Sequence, residues 1–435
     1  MWSAARIPGA VRKLTLVFGV LLMPLVMVAL SETRSRLPTA VERPGTAEPD
    51  TVPTSDLIQE GRYLATVGNC ISCHTRRGGS DFSGGLAFRT PLGVLYSTNI
   101  TPDLSTGIGR WSEADFIRAM RHGEAPNGRH LYPAFPYTSF SRATLADLKA
   151  IFAYLRSIKP IQYTPPRNDI RFSQRWAMAL WNRMFFDSKP YSDKPQQSAE
   201  WNRGAYLTEG LAHCSACHTP RNFLMAEAAD RGYSGGAIQE EVAENQFRRW
   251  SAVNLTPSAA GLKQWSEQEI VNYLMKGFSR RGGAFGPMNE IILHSTRWLS
   301  EKDLTAMAIY LKSSPVQDGS PGPSPTAEQI DAGSGVYKER CEKCHAPSGR
   351  GAMFGGPPLQ GSAVVVDADP ASLINVILYG ADAPAALAPF GAWETMKPYR
   401  TVLTDDDVAA VADYVRNSWG NKGCAVTPSE VAIQR

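Results

Sequence analysis

The stretch Cys-Ile-Ser-Cys-His at residues 70–74 decides the fold class of this chain, because its pattern returns at 214–218 and at 341–345. Two thiols three residues apart lie on one side of a helical turn, so both can form thioether bonds to the two vinyl groups of one porphyrin. The histidine that follows then directs its imidazole at the iron. Each copy predicts a site of covalently attached c-type haem, and three copies predict three haems.

The predicted cofactor-binding side chains are the cysteines Cys70, Cys73, Cys214, Cys217, Cys341 and Cys344 and the iron ligands His74, His218 and His345. Two other uses of paired cysteines fit less well. A thioredoxin-type redox pair needs no following histidine and belongs in a βαβ context, which the sequence does not indicate. A zinc site would use the two cysteines and the histidine, but each motif lacks a nearby fourth ligand.

The sequence on both sides of the motif repeats as well, which indicates tandem domains of one type. Gly-Arg-Tyr-Leu at 61–64 matches Gly-Ala-Tyr-Leu at 204–207, and Gly335 precedes the third motif in the same role. Asn-Ile-Thr-Pro at 99–102 matches Asn-Leu-Thr-Pro at 254–257. Each repeat closes on an amphipathic helix with acidic residues in its first turn. We therefore expect a mainly α fold of three tandem cytochrome c-type domains with loop-rich insertions.

Shifts in composition predict where these domains begin and end. The Pro- and Thr-rich stretch at 32–54 and the Gly-Ser-Pro-rich stretch at 315–325 are typical of linkers, and a third linker with an amphipathic helix connects the first two domains. The predicted boundaries are 1–31 for a signal peptide or N-terminal anchor, 32–54 for a linker, 55–165 for domain 1, 166–198 for the linker with the amphipathic helix, 199–314 for domain 2, 315–325 for the Pro/Gly linker, 326–424 for domain 3 and 425–435 for a tail.

Composition and the N-terminus bear on localisation and partners. The 435 residues carry 45 Lys and Arg against 41 Asp and Glu, a net charge of +4 that gives no reason to expect nucleic acid as a partner. Arg6, Arg12 and Lys13 precede an uncharged apolar run at 14–30, the pattern of an export signal. The run is also long enough to leave an uncleaved anchor open. Either interpretation predicts an exported protein.

The sixth iron ligand should come from a loop ahead of the closing helix, and methionine there raises the reduction potential. Met288, in Gly-Pro-Met at 286–288, has this position in the second repeat, and Met396 has it in the third. In the first repeat Phe135 stands where methionine is expected, and a phenyl ring cannot bind iron. His130 is then the first candidate for the sixth ligand and His122 the second, and a site left open or bound by water is the alternative.

Three further side chains have structural interpretations. Met120 and Met275 are placed at matching helical positions by the repeat and are expected in the core. Cys424 stands outside the motifs and is expected to be a buried or free thiol, with an intermolecular disulfide or a lipid anchor as alternatives. The sequence contains no nucleophile–base set and no dinucleotide fingerprint, so no catalytic residue is predicted.

Taken together, the motifs resemble the triple-haem cytochrome c subunits of bacterial membrane-bound dehydrogenases, among them those for alcohol, gluconate, sorbitol and fructose. The resemblance rests on the three Cys-X-X-Cys-His motifs and on the stretches 99–103, 107–111, 131–134 and 418–421, and it extends from Leu57 to Arg435. It implies three haem c groups and a periplasmic protein held on the membrane. The family pattern expects methionine at position 135, so Phe135 departs from it.

The resemblance also implies the partners: a catalytic dehydrogenase subunit with a flavin or quinone cofactor as electron donor, and ubiquinone or another respiratory acceptor. The expected function is therefore electron transfer by a non-catalytic subunit of an oxidoreductase complex. Two other classes stay open, a stand-alone haem peroxidase and a ligand-binding haem protein, each using an open site at the first haem. Phe135 is the feature that favours them.

Overall fold

The fold is given by a computed structural model of the chain, in which residues 53–170, 175–243, 246–317, 322–352, 355–381 and 393–435 are described, apart from the side chain of Trp176. The predicted export signal, nearly all of the linker at 32–54, the start of the interdomain helix segment and part of the linker at 315–325 lie outside these residues. Within them, no helix is long and apolar enough to cross a membrane.

The described chain is rich in helix. Its α-helices are α1 (Ser55–Val67), α2 (Cys70–Cys73), α3 (Glu113–His122), α4 (Tyr137–Phe140), α5 (Leu145–Ser157), α6 (Trp176–Phe185), α7 (Ala199–Glu209), α8 (Ser215–His218), α9 (Glu267–Lys276), α10 (Pro287–His294), α11 (Glu301–Ser313), α12 (Ala327–Arg340), α13 (Glu342–His345), α14 (Ala363–Val366), α15 (Ala371–Tyr379), α16 (Asp405–Asn417) and α17 (Pro428–Gln434). Short 3₁₀ turns cover Ala229–Arg231 and Thr296–Trp298.

Strands are short and antiparallel. They are β1 (Ala87–Thr90), β2 (Gly93–Tyr96), β3 (Asp169–Ile170), β4 (Gly236–Ala243), β5 (Gln246–Ala252), β6 (Phe278–Ser279) and β7 (Gly282–Gly283). They form one three-stranded sheet in the order β1-β2-β3 and two hairpins, β4-β5 and β6-β7. β3 lies in the predicted linker at 166–198 and the other strands lie in the loop-rich insertions, so the helices form the frame.

Three segments of the chain are built alike, each from a first helix that crosses a closing helix. The pairs are α1 with α5, α7 with α11, and α12 with α16. Serine or threonine caps the start of each of these helices; Thr144, for example, accepts a hydrogen bond from the backbone N–H of Asp147. We refer to the three as the first, second and third segments.

A glycine allows the two helices of each segment to touch. A Cβ on Gly61 would lie 1.8 Å from the carbonyl oxygen of Ala150, and one on Gly204 would lie 1.9 Å from that of Ala306. In the third segment the equivalent residue is Gly333, whose Cβ would lie 1.9 Å from the oxygen of Ala410. The sequence repeat aligns Gly335 with Gly61 and Gly204, and this alignment is wrong by two residues, since a Cβ on Gly335 would have no neighbour within 4 Å.

The first and second segments share one hydrophobic core, in which buried residues such as Leu64 and Leu148 pack in the same cluster as Leu207 and Leu304. Reciprocal hydrogen bonds join the two segments. The hydroxyl of Tyr63 donates to Asp303 at 2.6 Å, and that of Tyr206 donates to Asp147. The first helix of each segment is thereby fixed to the closing helix of the other.

The third segment has its own core around Tyr337, Ile374 and Val408. It is attached to the second segment along β5 and the start of α15. Ser251 and Ser372 exchange hydrogen bonds through backbone and side chain, the closest at 2.8 Å. Asn375 donates to the carbonyl of Arg249 at 2.7 Å, and the Arg249 side chain pairs with Asp369.

Helix α6, in the predicted linker, packs on the first two segments with one face. Trp181 is 7% exposed, its indole N–H donates to the carbonyl of Leu224 at 2.9 Å, and the neighbouring Asn182 accepts a hydrogen bond from Tyr137 at 2.6 Å. The other face is apolar yet exposed: Leu180 is 55% exposed and Met184 51%. The predicted amphipathic helix therefore packs on the protein with one face and exposes apolar side chains on the other.

Candidate functional site

Each Cys-X-X-Cys-His motif forms a single helical turn that follows the first helix of its segment. The turns are α2, α8 and α13, and His74 caps the first of them at its C-terminus. The backbone turns sharply just before the first two motifs: Asn69 has φ 47° and His213 has φ 38°. This turn lets each motif double back from the helix that precedes it, so that its two cysteines project from one side of a turn.

The three motif histidines make the same hydrogen bond. Nδ1 of His74 lies 2.6 Å from the carbonyl oxygen of Thr98, that of His218 lies 2.7 Å from Val253, and that of His345 lies 2.8 Å from Pro357. A carbonyl only accepts, so Nδ1 carries the proton and Nε2 keeps a free lone pair. Burial lowers the pKa of all three imidazoles, which favours the neutral form that binds a metal.

The carbonyl partners are held by side chains that the sequence interpretation did not assign. Oδ1 of Asn99 accepts hydrogen bonds from the backbone N–H and the hydroxyl of Thr101 at 2.9 and 2.7 Å, which fixes the turn directly after Thr98. Asn254 and Thr256 repeat this turn after Val253, with both distances 2.7 Å. The repeated Asn-X-Thr-Pro stretches were the available signal, because they fix the turns that carry the carbonyl partners of His74 and His218.

In the third segment a glycine replaces this turn. A Cβ on Gly356 would lie 2.7 Å from the imidazole carbon Cε1 of His345, so only glycine lets the loop close over the ring. The loop continues into Pro357, whose carbonyl binds Nδ1. The asparagine turn of the first two segments and the glycine loop of the third therefore give the imidazole the same hydrogen bond to a backbone carbonyl.

The motif cysteines are partly buried. Each keeps partial solvent accessibility, yet burial raises the pKa of Cys70, Cys73 and Cys214 to about 12 and that of Cys341 to about 11. All seven cysteines are described, and none of them forms a disulfide bond. Deep thiols at i and i+3 beside an imidazole with a free Nε2 fit a haem held by two thioethers and one axial histidine.

The first and second sites are close together. Nε2 of His213, next to Cys214, lies 3.3 Å from the carbonyl oxygen of Gly68, just before the first motif. A charge on Cys217 adds to the effect of burial in raising the pKa of Cys73, because the two thiols lie within electrostatic reach of each other. Helix α10 of the second segment also touches α2. His213 is thus a packing residue at the junction of the two sites.

Met288 is the second residue of α10, which begins at Pro287 after the capping residue Gly286. It is partly buried against Ala284 and Ile292. Proline at the first helical position fixes the start of the helix and so the direction in which Met288 leaves it. That Met288 binds iron stays a prediction.

Met396 forms a single antiparallel β-bridge with Ala381, two residues after the end of α15. Its N–H donates to the carbonyl of Ala381 at 3.2 Å, and its carbonyl accepts from the N–H of Ala381 at 3.3 Å. Gly380 makes the bridge possible, because it has φ 78° and a Cβ there would lie 2.2 Å from the Met396 oxygen. The Met396 side chain packs partly on the third core. Its role as an iron ligand likewise stays a prediction.

Phe135 lies in the first segment with its ring 5.4 Å from that of Phe140. His130 is five residues away, where its Nδ1 is 3.8 Å from a carboxylate oxygen of Glu124. His122 ends helix α3 and is exposed. Phe135 and the two candidates for the sixth ligand, His130 and His122, are therefore close in the chain but have different surroundings.

Met120 and Met275 do not match in the helix register. Helices α3 and α9 run between the same caps, serine at the start and a left-handed glycine at the end, and counting from Ser112 and Ser266 pairs Met120 with Leu274. Met120 is 5% exposed in the shared core. The predicted match with Met275 is wrong, but the predicted core position of Met120 is confirmed.

Cys424 sits beside the linker at the third segment. Its Sγ accepts a hydrogen bond from the N–H of Gly322 at 3.0 Å, and its carbonyl accepts from Nε of the buried Arg416 at 3.0 Å. The thiol is partly exposed and unpaired. Among the described residues, no group of three or more His, Cys, Asp or Glu side chains could form a separate metal site.

A cleft of about 1420 Å³ opens between the three segments. Its lining includes apolar side chains such as Leu95, Met178 and Leu224. Ala216, which stands between the two cysteines of the second motif, also lines it. One side of the second site therefore faces this cleft.

Comparisons with known proteins agree with this geometry. A family model described as "Cytochrome c" matches residues 58–159, and one described as "Cytochrome C oxidase, cbb3-type, subunit III" matches residues 328–415. The alcohol dehydrogenase (quinone) cytochrome c subunit of Komagataeibacter europaeus is 39% identical over 400 residues, which are 88% of this chain and 84% of that protein.

Two further relatives are similar over most of this chain. The gluconate 2-dehydrogenase cytochrome c subunit of Pantoea cypripedii is 38% identical over 87% of this chain and 89% of its own length. A nicotinate dehydrogenase subunit of Pseudomonas putida is 42% identical over 83% of this chain, but the match spans only 30% of that longer protein.

Proposed function

The chain belongs to the family of dehydrogenase cytochrome c subunits and carries covalently bound haem c, and on this premise we propose that it is a three-haem electron-transfer subunit of a periplasmic dehydrogenase complex. The observation that carries the proposal is the hydrogen bond from Nδ1 to a backbone carbonyl in all three motifs. A histidine held in this way presents Nε2 to a metal. Three such histidines support three haems, the middle one included.

In this proposal the chain binds and tunes its cofactors and does no substrate chemistry. The six motif cysteines attach the haems, and His74, His218 and His345 bind the irons from one side. Met288 and Met396 bind the second and third irons from the other side, which raises their reduction potentials relative to histidine ligation. The haems supply one-electron chemistry when bound. The protein supplies spacing, burial and axial ligands.

The proposed domains follow the predicted boundaries, with cytochrome c domains at 55–165, 199–314 and 326–424. The shared core of the first two segments and the contact of His213 with Gly68 support direct electron exchange between the first and second haems. The hydrogen bonds between Ser251 and Ser372 hold the third domain against the second. Rigid contacts of this kind keep the distances between haems constant.

The electron donor in the proposal is a separate catalytic subunit with a flavin or quinone cofactor. Relatives named as cytochrome subunits of alcohol, gluconate and fructose dehydrogenases support this assignment. The acceptor is ubiquinone or another respiratory carrier. The cleft beside Ala216 supports an acceptor that approaches the second haem, since its apolar lining suits a quinone ring.

The proposed location is the periplasmic face of the cytoplasmic membrane, reached through the N-terminal export signal. An apolar patch formed by Leu180, Met184, Phe185, Phe223 and Leu224 supports contact with the membrane surface. Phe223 is 92% exposed, and the hydrogen bond from Trp181 to Leu224 holds its loop against α6. Exposed Arg183 beside the patch suits anionic headgroups.

The test is to purify the chain in complex with its catalytic dehydrogenase subunit, and also alone. Substrate should then reduce haem in the complex, and the isolated cytochrome chain with the same substrate should stay oxidised. Haem reduction by substrate in the isolated chain would contradict a non-catalytic role. A peroxidase, the alternative function, would turn over peroxide without any partner.

A further inference from the structure

The hairpin after helix α3 shows which residue of the first segment corresponds to Met288. Helices α3 and α9 both end at a left-handed glycine, Gly123 with φ 62° and Gly277 with φ 79°. The N–H of Leu131 then donates to the Gly123 carbonyl at 2.6 Å, just as that of Ala284 donates to the Gly277 carbonyl at 2.8 Å. Four residues after these donors come Phe135 and Met288. The repeat therefore puts a phenyl ring where the second segment has a thioether.

The surroundings of Phe135 are aromatic and apolar. Its ring is 5.4 Å from Phe140, which is itself buried and 5.4 Å from the ring of His213. On its other side Phe135 packs against the cluster of Tyr137 and Trp181. A phenyl ring in such a cluster has no lone pair for iron and no proton to donate.

Two nearby polar groups have other partners, and His130 is held on the hairpin by its backbone. The hydroxyl of Tyr137 donates to Asn182 at 2.6 Å, and Nε2 of His213 faces the Gly68 carbonyl. The carbonyl of His130 accepts a hydrogen bond from Arg175 at 2.5 Å, while Nδ1 of its ring lies 3.8 Å from a carboxylate oxygen of Glu124. In the second segment the residue at this hairpin position is Gly283, which packs on Trp393 of the third segment. Gly283, the counterpart of His130, thus faces a neighbouring segment. This argues against His130 as an iron ligand.

We propose that Phe135 leaves the sixth position of the first haem open to small neutral diatomic ligands, carbon monoxide and nitric oxide, while the other two haems are closed by Met288 and Met396. This rests on the proposed function, which places a haem at the first motif. Binding of carbon monoxide to the ferrous iron is a reversible coordination that moves no electron and breaks no bond within the ligand.

The apolar surroundings decide the ligand class. Bound oxygen and peroxide need a hydrogen-bond donor or an acid–base group on the distal side, and polarity there decides between binding and activation. Phe135 and Phe140 provide neither. Carbon monoxide and nitric oxide need no such donor. The site therefore favours ligand binding over peroxidase chemistry.

The experiment uses the full-length holoprotein reduced with dithionite and titrated with carbon monoxide. Haem content per chain is measured first. We expect three haems per chain and one carbon monoxide bound per chain. Two matched variants then assign the site: Phe135→Met should bind none and gain a methionine-to-iron charge-transfer band in the oxidised protein, and Met288→Phe should bind two.

The outcomes separate the two proposals. Fewer than three haems in the wild-type protein would overturn the proposed function. Three haems with no carbon monoxide bound would overturn this inference alone, as would a wild-type ligand count that Phe135→Met leaves unchanged. If Phe135→Met does not fold, Met288→Phe decides: a count that stays at one would contradict the role given to this position.

Discussion

Tyr63 donates a hydrogen bond to Asp303, 240 residues further along the chain, at 2.6 Å. Its counterpart Tyr206 makes the mirrored bond to Asp147. Each hydroxyl also accepts from the backbone N–H of the residue that caps the partner helix, Ser300 at 3.2 Å and Thr144 at 3.0 Å. The first two segments are therefore joined by hydrogen bonds in both directions around their shared core.

This bracing predicts a pH dependence of stability. Burial alone would raise the pKa of Asp303, but hydrogen bonds from Arg203 and Tyr63 outweigh it and lower the pKa below its ordinary value. A carboxyl whose pKa is lower in the folded state stabilises the fold above its unfolded pKa, about 3.9, and this contribution is lost as the pH falls through the folded value. Asp303→Asn should lose stability at pH 7 and show a weaker decline below about pH 4.

The measurement is urea unfolding of both proteins between pH 7 and pH 3. Asp187→Asn is the control, because Asp187 is exposed and pairs only with the neighbouring Lys189. We expect the control to unfold like the wild-type protein. Parallel pH curves for the wild-type protein and Asp303→Asn would show that this carboxylate does not contribute to acid unfolding.

Removal of the Tyr63 hydroxyl should weaken the same junction. Tyr63→Phe keeps the ring and loses two hydrogen bonds, the one donated to the charged Asp303 and the one accepted from the N–H of Ser300. Loss of the bond to the charged partner alone costs about 1.5–3 kcal/mol. Tyr206→Phe should cost a similar amount because its contacts are equivalent. Denaturant midpoints measure both changes. The double variant should depart from additivity, since Arg203 donates to Asp303 and also lies over the ring of Tyr206. A loss below about 0.5 kcal/mol in both would contradict the bracing.

Helix α12 contains a glycine at the crossing with α16, Gly333, and a second glycine, Gly335, that serves as the control. Gly333→Ala puts a Cβ 1.9 Å from the Ala410 oxygen, so the helices must separate at a cost of about 2 kcal/mol or more. Gly335→Ala meets nothing within 4 Å and should stabilise the helix by about 0.5–1 kcal/mol. Thermal unfolding distinguishes them. Equal effects would contradict a crossing at Gly333, and a larger loss of stability for Gly335→Ala would place the crossing at Gly335.

The asparagine turns should influence the haem that they border. Asn254→Ala removes the acceptor for two hydrogen bonds from Thr256 and releases the carbonyl of Val253, at a cost of about 1–3 kcal/mol. A weaker bond from Nδ1 makes His218 a less basic ligand, so the reduction potential of the second haem should rise. Redox titration followed by absorbance measures this. Asn127→Ala, in an exposed turn, is the control and should leave all potentials unchanged.

Membrane contact through the apolar patch predicts a loss of vesicle binding. Replacing Leu180, Met184 and Phe223 by serine removes three exposed apolar side chains and should weaken co-flotation with anionic vesicles about tenfold or more. Haem content should stay unchanged, since none of the three lies at a motif. Unchanged flotation together with loss of the dehydrogenase subunit on purification would assign the patch to that partner instead.

The sequence allowed the cofactor sites and the helix repeat to be predicted, because covalent attachment fixes the spacing of two cysteines and a histidine. It also identified Phe135 at a methionine position. It did not identify Gly333, since the distance from the crossing glycine to the first motif cysteine differs among the segments, and Gly335 preserves the familiar Gly-X-Tyr order.

Contacts between residues that are far apart in the chain could not be predicted from the sequence either. The bonds of Tyr63 and Tyr206 depend on how two repeats pack, and either tyrosine alone is compatible with an isolated domain. The carbonyl partners of the histidines are backbone atoms, so no residue type marks them. Only the repeated asparagine turns pointed to these loops, and their purpose became clear from the bond between His218 and Val253.

The haem count of the purified holoprotein tests the central claim most directly. We predict three covalently bound haems per chain by intact-mass measurement and by the pyridine haemochrome assay, with one haem lost in each of the variants Cys70→Ser/Cys73→Ser, Cys214→Ser/Cys217→Ser and Cys341→Ser/Cys344→Ser. A wild-type count of two, unchanged when Cys214 and Cys217 are replaced, would contradict the account.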